Sequence, residues 1–109
     1  MQTMTKNITK WVDNGKVAVL YSPGFGAGWY TWNTGVPEII FDPAIVSLVL
    51  EDKWSELETY VGVKYPEIYT GGMKDLAIAW ITKGTLFKIT EYDGAESIEL
   101  KENDDWITA

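Results

Sequence analysis

The sequence of 109 residues contains no cysteine, no histidine and no arginine. Without cysteine it has neither a disulfide nor a thiolate zinc site. Without histidine it lacks the commonest general base and metal ligand, and every catalytic triad that needs an imidazole. Without arginine it has no guanidinium group to form bidentate hydrogen bonds with phosphate, so an anionic ligand must be held by lysines, hydroxyls and backbone N–H groups. We therefore expect a protein that is not an enzyme and has no cofactor or metal.

Positive charge is scarce. Sixteen acidic residues against nine lysines give a net charge of −7, and nucleic-acid binders usually carry a basic stripe. No apolar stretch reaches the roughly 18 residues of a membrane span, and the polar residues 1–10 do not resemble a secretory signal. We expect a cytoplasmic protein that binds neither nucleic acid nor membrane.

The chain length and the order of apolar segments predict one α+β domain over residues 1–109. The expected fold is a small, mostly antiparallel twisted sheet of about five strands with two helices packed on one face. Residues 1–15 form an N-terminal arm or a short helix, because Ile8, Trp11 and Val12 have helical spacing and Asn14-Gly15 can end a helix.

Two continuously apolar segments, Val17–Tyr21 and Leu76–Ile81, predict neighbouring strands, the first buried on both faces and the second apolar on both faces. The segment Glu38–Phe41 is a short strand or an extended segment. Trp106-Ile107 is predicted to return to the sheet as an edge strand.

Two helices are predicted between these strands. Asp42 is a favourable N-cap and Pro43 suits a first helical position, so a helix is expected over Pro43–Lys53. The capping-box pattern Ser55–Glu58 starts a second helix, which Gly62 can end. Its inner stripe is Leu57, Tyr60 and Val61.

A hairpin is predicted near the end of the chain, from Thr85–Tyr92 through the type I′ turn Asp93-Gly94 to Ala95–Lys101. Lys83-Gly84 is read as another hairpin turn that joins it to the preceding strand. The register places two apolar pairs on one face, Ile89 with Ile98 and Phe87 with Leu100.

On the other face of this hairpin Lys88 lies opposite Glu99, which is a favourable pair. The same register sets Glu91 against Glu96, although like charges across a ladder are unfavourable. Either the hairpin tip is solvated, which we favour, or the two carboxylates form a binding site for a cation.

The segment Tyr21–Asn33, here called the glycine–aromatic loop, combines three alternate glycines with five aromatic rings. Glycine permits close backbone approach to a ligand, and a stacked base gains about 1–3 kcal/mol from an aromatic ring. The spacing matches neither the dinucleotide fingerprint nor the Walker loop. The loop either forms a nest of N–H groups for an anion or packs Trp29 and Trp32 into the core. Asp75, beside Gly71-Gly72, either fixes a loop or contacts the ligand.

The loop core Ser-Pro-Gly-Phe-Gly-Ala-Gly-Trp-Tyr-Thr-Trp-Asn, with Phe41-Asp42-Pro43, Gly71-Gly72 and Glu91-Tyr92-Asp93-Gly94, resembles a family of small proteins encoded by bacteriophages and prophages. The resemblance covers most of the chain after Lys16. Small phage accessory proteins often act against bacterial immunity, and one class is a sponge that binds a cyclic nucleotide or cyclic ADP-ribose signal without cleaving it. By analogy, the resemblance implies an anti-defence protein in the host cytoplasm.

The leading hypothesis is thus a homo-oligomeric binder that sequesters a small nucleotide-like ligand. Its expected site consists of Ser22, Gly24, Phe25, Gly26, Ala27, Gly28, Trp29, Tyr30, Trp32, Asn33 and Asp75. One alternative, which the net charge suggests, is an acidic protein–protein inhibitor of a bacterial defence nuclease, either similar to an anti-CRISPR protein or a nucleic-acid mimic. Another is a metal-dependent hydrolase that uses carboxylates alone.

Overall fold

The computed structural model describes residues 8–100. Within that range it contains two helices and five antiparallel strands, which confirms the α+β class. The elements in chain order are β1 (Val12–Asp13), β2 (Lys16–Tyr21), α1 (Pro43–Leu50), α2 (Trp54–Lys64), β3 (Ala77–Thr82), β4 (Phe87–Tyr92) and β5 (Ala95–Leu100). The strands form two sheets and not a single one: β1, β2 and β3 in that spatial order, and a β4–β5 hairpin. The edge strand predicted at Trp106-Ile107 lies outside the described residues.

Strand β2 is the centre of the core. Its residues Val17, Ala18, Val19 and Leu20 are all buried, as the continuous apolar run predicts. It pairs with β1 on one side and with β3 on the other, so the predicted neighbour relation between the two apolar strands is confirmed. Helices α1 and α2 complete this core with buried apolar side chains at Ile45, Val46, Leu57 and Val61.

Strand β1 replaces the helix that was one alternative for the first fifteen residues. Val12 pairs with Val17 and Asp13 with Lys16, so the intervening Asn14-Gly15 is a two-residue hairpin turn. Both turn residues have positive φ, 57° and 79°, as a type I′ turn requires. The prediction that the Asn-Gly pair ends a helix is wrong, because the pair reverses the chain between two strands.

The segment before α1 is not extended. Pro37–Ile40 forms a short 3₁₀ helix that buries Ile39 and Ile40, so the predicted strand at Glu38–Phe41 is wrong. Proline has a φ near that of a helix and suits the first helical position. The two apolar side chains reach the core from a helical turn without needing a ladder partner.

Both helices differ from prediction at their ends. Helix α1 stops at Leu50 and not at Lys53, because Asp52 adopts a positive φ of 61°. Helix α2 begins at Trp54 with Lys53 as its N-cap and no side-chain cap bond, so the predicted capping box is wrong. It also continues through Gly62 to Lys64, since an exposed glycine weakens a helix by only about 1 kcal/mol relative to alanine. The buried stripe at Leu57 and Val61 is confirmed.

Asp42 joins the start of α1 to the end of α2. Its Oδ1 accepts the backbone N–H of Ala44 at 2.9 Å, which confirms the predicted N-cap. Its Oδ2 accepts the hydroxyls of Tyr65 at 2.6 Å and Tyr60 at 2.8 Å, and Lys64 Nζ lies at 3.3 Å. Burial alone would raise the pKa of Asp42, but these hydrogen bonds and the Lys64 charge together lower it below its ordinary value.

The β4–β5 hairpin has the predicted register. Phe87 pairs with Leu100 and Ile89 with Ile98 on the apolar face, and Lys88 Nζ lies 3.8 Å from Glu99. Strands β3 and β4 belong to different sheets, so Lys83-Gly84 redirects the chain from one sheet to the other and is not the predicted hairpin turn. In the described part of the chain, no helix combines the length and apolar character needed to cross a membrane.

Candidate functional site: the glycine–aromatic loop

The carboxylate of Glu96, on β5, organises the glycine–aromatic loop. Glu96 is only 3% exposed. Its Oε1 accepts the backbone N–H of Ser22 at 2.9 Å. Its Oε2 accepts the backbone N–H groups of Trp29 and Thr31 and the Thr31 hydroxyl, each at 2.8 Å. A buried carboxylate is costly unless hydrogen bonds replace its hydration, and here four donors do so.

The like-charge pair at the hairpin tip is explained by these contacts. Glu91 accepts the backbone N–H of Gly94 at 2.8 Å on the exposed side. Glu96 turns inward, and its own N–H donates to the carbonyl of Ser22 at 2.8 Å. The favoured prediction of a solvated tip is therefore wrong for Glu96. Its hydrogen-bond partners are donors of the glycine–aromatic loop.

The loop forms the predicted nest of N–H groups, but the anion in it belongs to the chain. Backbone donors of Ser22, Trp29 and Thr31 converge on one carboxylate, as the N–H groups of an anion-binding concavity do. Among residues 8–100 no lysine forms an ion pair with Glu96. These donors are consequently engaged and do not face an external ligand.

The glycines allow close approach between backbones. Gly94 has a φ of +87°, and a methyl group on it would lie 2.7 Å from the carbonyl carbon of Gly26 and overlap the nitrogen of Ala27. A methyl group on Gly72 would lie 2.7 Å from the carbonyl oxygen of Gly28. The N–H of Gly26 donates to the Asp93 carbonyl at 2.9 Å. Three chain segments thus meet with no side chain between them.

Three of the expected site residues are buried. Ser22 and Trp29 are fully buried, and Gly28 is buried beside them. The indole Nε1 of Trp29 donates to the carbonyl of Ile39 at 3.1 Å, so the ring is anchored in the core. For Trp29 the structure matches the packing alternative. These residues support the loop from within.

Trp32 and Tyr69 place two aromatic rings at the surface beside the loop. The side chains are 41% and 49% exposed, their ring centroids lie 5.1 Å apart, and the rings are tilted by 37°. This pair is called the aromatic platform below. Trp32 is one of the expected site residues, whereas Tyr69, from the loop that follows α2, is not.

The side chain of Asn33 joins the two backbone segments that carry the aromatic platform. Its Nδ2 donates to the carbonyls of Trp29 at 2.7 Å and Tyr69 at 2.9 Å. Its Oδ1 accepts the N–H of Tyr69 at 2.8 Å. The side-chain amide thus pairs with Tyr69 as a neighbouring strand would, and it ties the two ring-bearing segments together.

The remaining expected residues line the outside of the loop. Phe25 is 72% exposed and Gly26 is exposed at the tip, while Gly24, Ala27 and Tyr30 are partly buried. Asp75 is brought to the loop: a methyl group on Gly24 would lie 2.7 Å from its Cγ. Asp75 therefore covers the loop backbone at Gly24 and leaves its own side chain exposed.

Sequence reasoning missed four residues that build this region: Thr31, Tyr69, Gly94 and Glu96. One indication was present, because a like-charge pair inside a favourable register implies that one carboxylate has another partner. Glu96 binds donors 65 to 74 positions away, and local spacing carries no information on such contacts.

Two clefts lined by described residues lie away from the loop. One, of about 210 Å³, is lined by Glu38, Asp42, Lys64, Tyr65 and three neighbours; the other, of about 110 Å³, lies where the two sheets meet. Within residues 8–100 no group of three or more acidic side chains is arranged to hold a metal ion.

No protein-family model, curated protein or solved structure matches the chain significantly.

Proposed function

We propose that the protein is a non-catalytic binder that sequesters a small nucleotide-like ligand on the aromatic platform. The supporting observation is that two exposed rings, Trp32 and Tyr69, pack against each other, and that Asn33 joins the backbone segments that carry them. Exposed aromatic side chains lose conformational freedom when they bind a partner, and rings that already pack against each other avoid part of that cost.

The chemistry of the platform suits a flat, polar ligand. A base that stacks on an indole or phenol ring gains about 1–3 kcal/mol. Asp75 and the partly buried Tyr30 offer a carboxylate and a hydroxyl near the loop for polar contacts. Because the buried N–H nest is occupied by Glu96, the ligand's anionic groups remain at the surface. We therefore place the proposed site on Trp32, Tyr69, Tyr30, Asn33, Phe25 and Asp75.

The resemblance to small phage proteins suggests the identity of the ligand. On this proposal the protein acts in the cytoplasm of the bacterial host, where it binds a cyclic nucleotide or cyclic ADP-ribose immune signal and does not cleave it. The absence of histidine and cysteine from the sequence supports a binder over an enzyme.

The test is isothermal titration against a panel of cyclic nucleotides and ADP-ribose derivatives. The wild type should bind at least one compound, and W32A and Y69A should each weaken that binding about tenfold. The matched control is W80A, because Trp80 is also an exposed tryptophan, at 38%, but lies on β3 outside the loop. Flat traces for every compound, or equal losses in W80A, would remove the proposal.

A protein that sequesters its ligand must also leave the ligand chemically intact, which the same samples can show. The bound compound should be recovered chemically unchanged when the protein is denatured, even after incubation with divalent metal. Recovery of a hydrolysed product would instead favour the carboxylate-only hydrolase.

A homo-oligomer forms part of the proposal. The exposed Phe25 and Tyr92 flank the hydrogen bond between Gly26 and Asp93, and together they present apolar area suited to a second copy of the chain. Light scattering should give a mass above that of one chain, and a monomeric mass would contradict it.

The acidic inhibitor is the second candidate. Four exposed carboxylates, at Glu51, Asp52, Glu56 and Glu58, cluster around the turn between α1 and α2, with Lys53 as their cationic neighbour. Such a protein should compete with DNA for a basic nuclease, and the competition should weaken steeply with added salt. Loss of competition in E56Q/E58Q, with W32A unaffected, would support it over the nucleotide binder.

A further inference from the structure

The junction between the two sheets contains a cleft that the aromatic platform does not use. Its volume is about 110 Å³. Six apolar side chains, contributed by both sheets and by the segment before α1, form its walls: Val12, Val17, Val19, Phe41, Ile81 and Phe87. Phe41 and Phe87 meet edge to face with centroids 6.4 Å apart, so these two rings form one firm wall.

Two lysines share this cleft. Lys10 and Lys83 both line it, and Lys10 Nζ lies 4.7 Å from the centre of the Phe41 ring. In the described range neither lysine forms an ion pair, which is also true of Lys16 and Lys74, whereas Lys53, Lys64 and Lys88 each form one. The chain as a whole has a net charge of −7, whereas this apolar hollow has two lysines and no acidic side chain among the described residues that line it.

We propose that this cleft binds a small organic carboxylate with an apolar body. The apolar walls would bury part of the body, and the ammonium groups of Lys10 and Lys83 would stay beside the carboxylate at the surface. A closed apolar cavity of about 150 Å³ holds benzene, so this cleft of about 110 Å³ buries only part of a single ring, leaves the rest at its mouth, and is too small for a nucleotide. Cationic ligands are disfavoured by the two lysines.

Benzoate and benzamide are the matched probes, because they have the same ring and differ in charge. Both are titrated into methyl-labelled protein, and the methyl resonances of Val12, Val17, Val19 and Ile81 are followed by NMR. Benzoate should shift these resonances and bind about fivefold more tightly than benzamide.

Lysine variants separate the local cations from net charge. K10Q/K83Q should bind benzoate no more tightly than benzamide. K74Q/K88Q makes the same change in net charge at two lysines outside the cleft and should keep the fivefold preference. W32A should bind benzoate as the wild type does, so this outcome is independent of the nucleotide proposal.

Three results would overturn the assignment. They are unshifted methyl resonances up to the solubility limit of benzoate, equal affinities for benzoate and benzamide in the wild type, and equal losses in the two double variants.

Discussion

The carboxylate Oε2 of Glu96 lies 2.8 Å from the backbone nitrogen of Trp29, although 67 positions separate the two residues. Through this bond and its companions at Ser22 and Thr31, a strand of the hairpin fixes a loop that follows the central strand. The loop has few apolar contacts of its own at its tip, since Phe25 points to solvent. Its conformation therefore depends on this carboxylate, together with the buried Trp29 and the hydrogen bond from Gly26 to Asp93.

Replacing Glu96 by glutamine should lower the free energy of unfolding by about 2–4 kcal/mol. The amide of glutamine keeps one acceptor but turns an NH₂ group toward the N–H donors of the loop. Urea unfolding measures the loss. E99Q is the control, because Glu99 is an exposed acid on the same strand, and its change should stay within about 0.5 kcal/mol. Equal effects in the two variants would contradict the role of Glu96.

Formate should partly restore the variant E96A. Removing the side chain leaves the three N–H donors and the Thr31 hydroxyl around a hollow of carboxylate shape, and a ligand that binds only the folded state stabilises it. Differential scanning fluorimetry should show a rise in the Tm of E96A in formate relative to chloride at equal ionic strength. The wild type, whose nest is filled, should show no such difference, and identical responses would argue against a preformed nest.

Gly94→Ala should destabilise the protein more than Gly15→Ala does. Both glycines have positive φ, at +87° and +79°, so both variants incur a backbone penalty of about 1–2 kcal/mol. Only at Gly94 does a methyl group meet another backbone, while at Gly15 it meets open space. We expect an additional loss of about 2 kcal/mol in G94A by chemical denaturation. Equal losses would mean that the hairpin and the loop are not in close contact.

Trp29→Phe should lower the free energy of unfolding by about 2–3 kcal/mol, because it removes buried ring volume and leaves the carbonyl of Ile39 without its indole donor. Trp32→Phe makes the same chemical change at an exposed position and should cost under about 1 kcal/mol. Thermal unfolding compares the two. A larger loss in W32F would reverse the assignment of core and surface indoles.

Asp42 should make folding stability depend on acidic pH. Its pKa is lowered in the folded state, so its contribution is present above the unfolded value of about 3.9 and is lost as pH falls through the folded pKa. Asp42→Asn should cost about 2–3 kcal/mol near neutrality, since three donors then face an NH₂ group.

The difference in stability between the wild type and D42N should shrink as the pH is lowered below about 4. Urea unfolding across this pH range measures it. D52N, at an exposed acid near the end of α1, serves as the control, and a difference that stays constant with pH would contradict the linkage.

The hairpin shows how far local pattern reaches. The turn at Asp93-Gly94 has two residues with positive φ, and the pairing of Ile89 with Ile98 sets which face of the hairpin is apolar. The complete strand register is therefore predictable from residues close together in the sequence. The same turn chemistry at Asn14-Gly15 is not recognisable from sequence, because the strand before it has two residues, too few to show alternation.

The candidate site is less predictable from the sequence than the hairpin is. The glycines of the loop predict close approach, but their partners lie far along the chain, around Gly72 and Asp75 and at Asp93-Gly94. Tyr69 contacts the Trp32 ring, and its backbone is hydrogen-bonded to Asn33, which lies 36 positions earlier in the chain. Contacts of this kind depend on how the two sheets meet, and no periodicity along the chain encodes that arrangement.

Glu96 supplies the hydrogen-bond acceptor for the glycine–aromatic loop, and Gly72 and Gly94 leave room for its backbone. The loop therefore cannot fold in the same way without these distant residues. If this segment alone were grafted onto another scaffold, its sequence would be unchanged but it would not keep its conformation. A transplant that preserves the geometry has to carry three separated pieces of chain together: 21–33, 69–75 and 91–97.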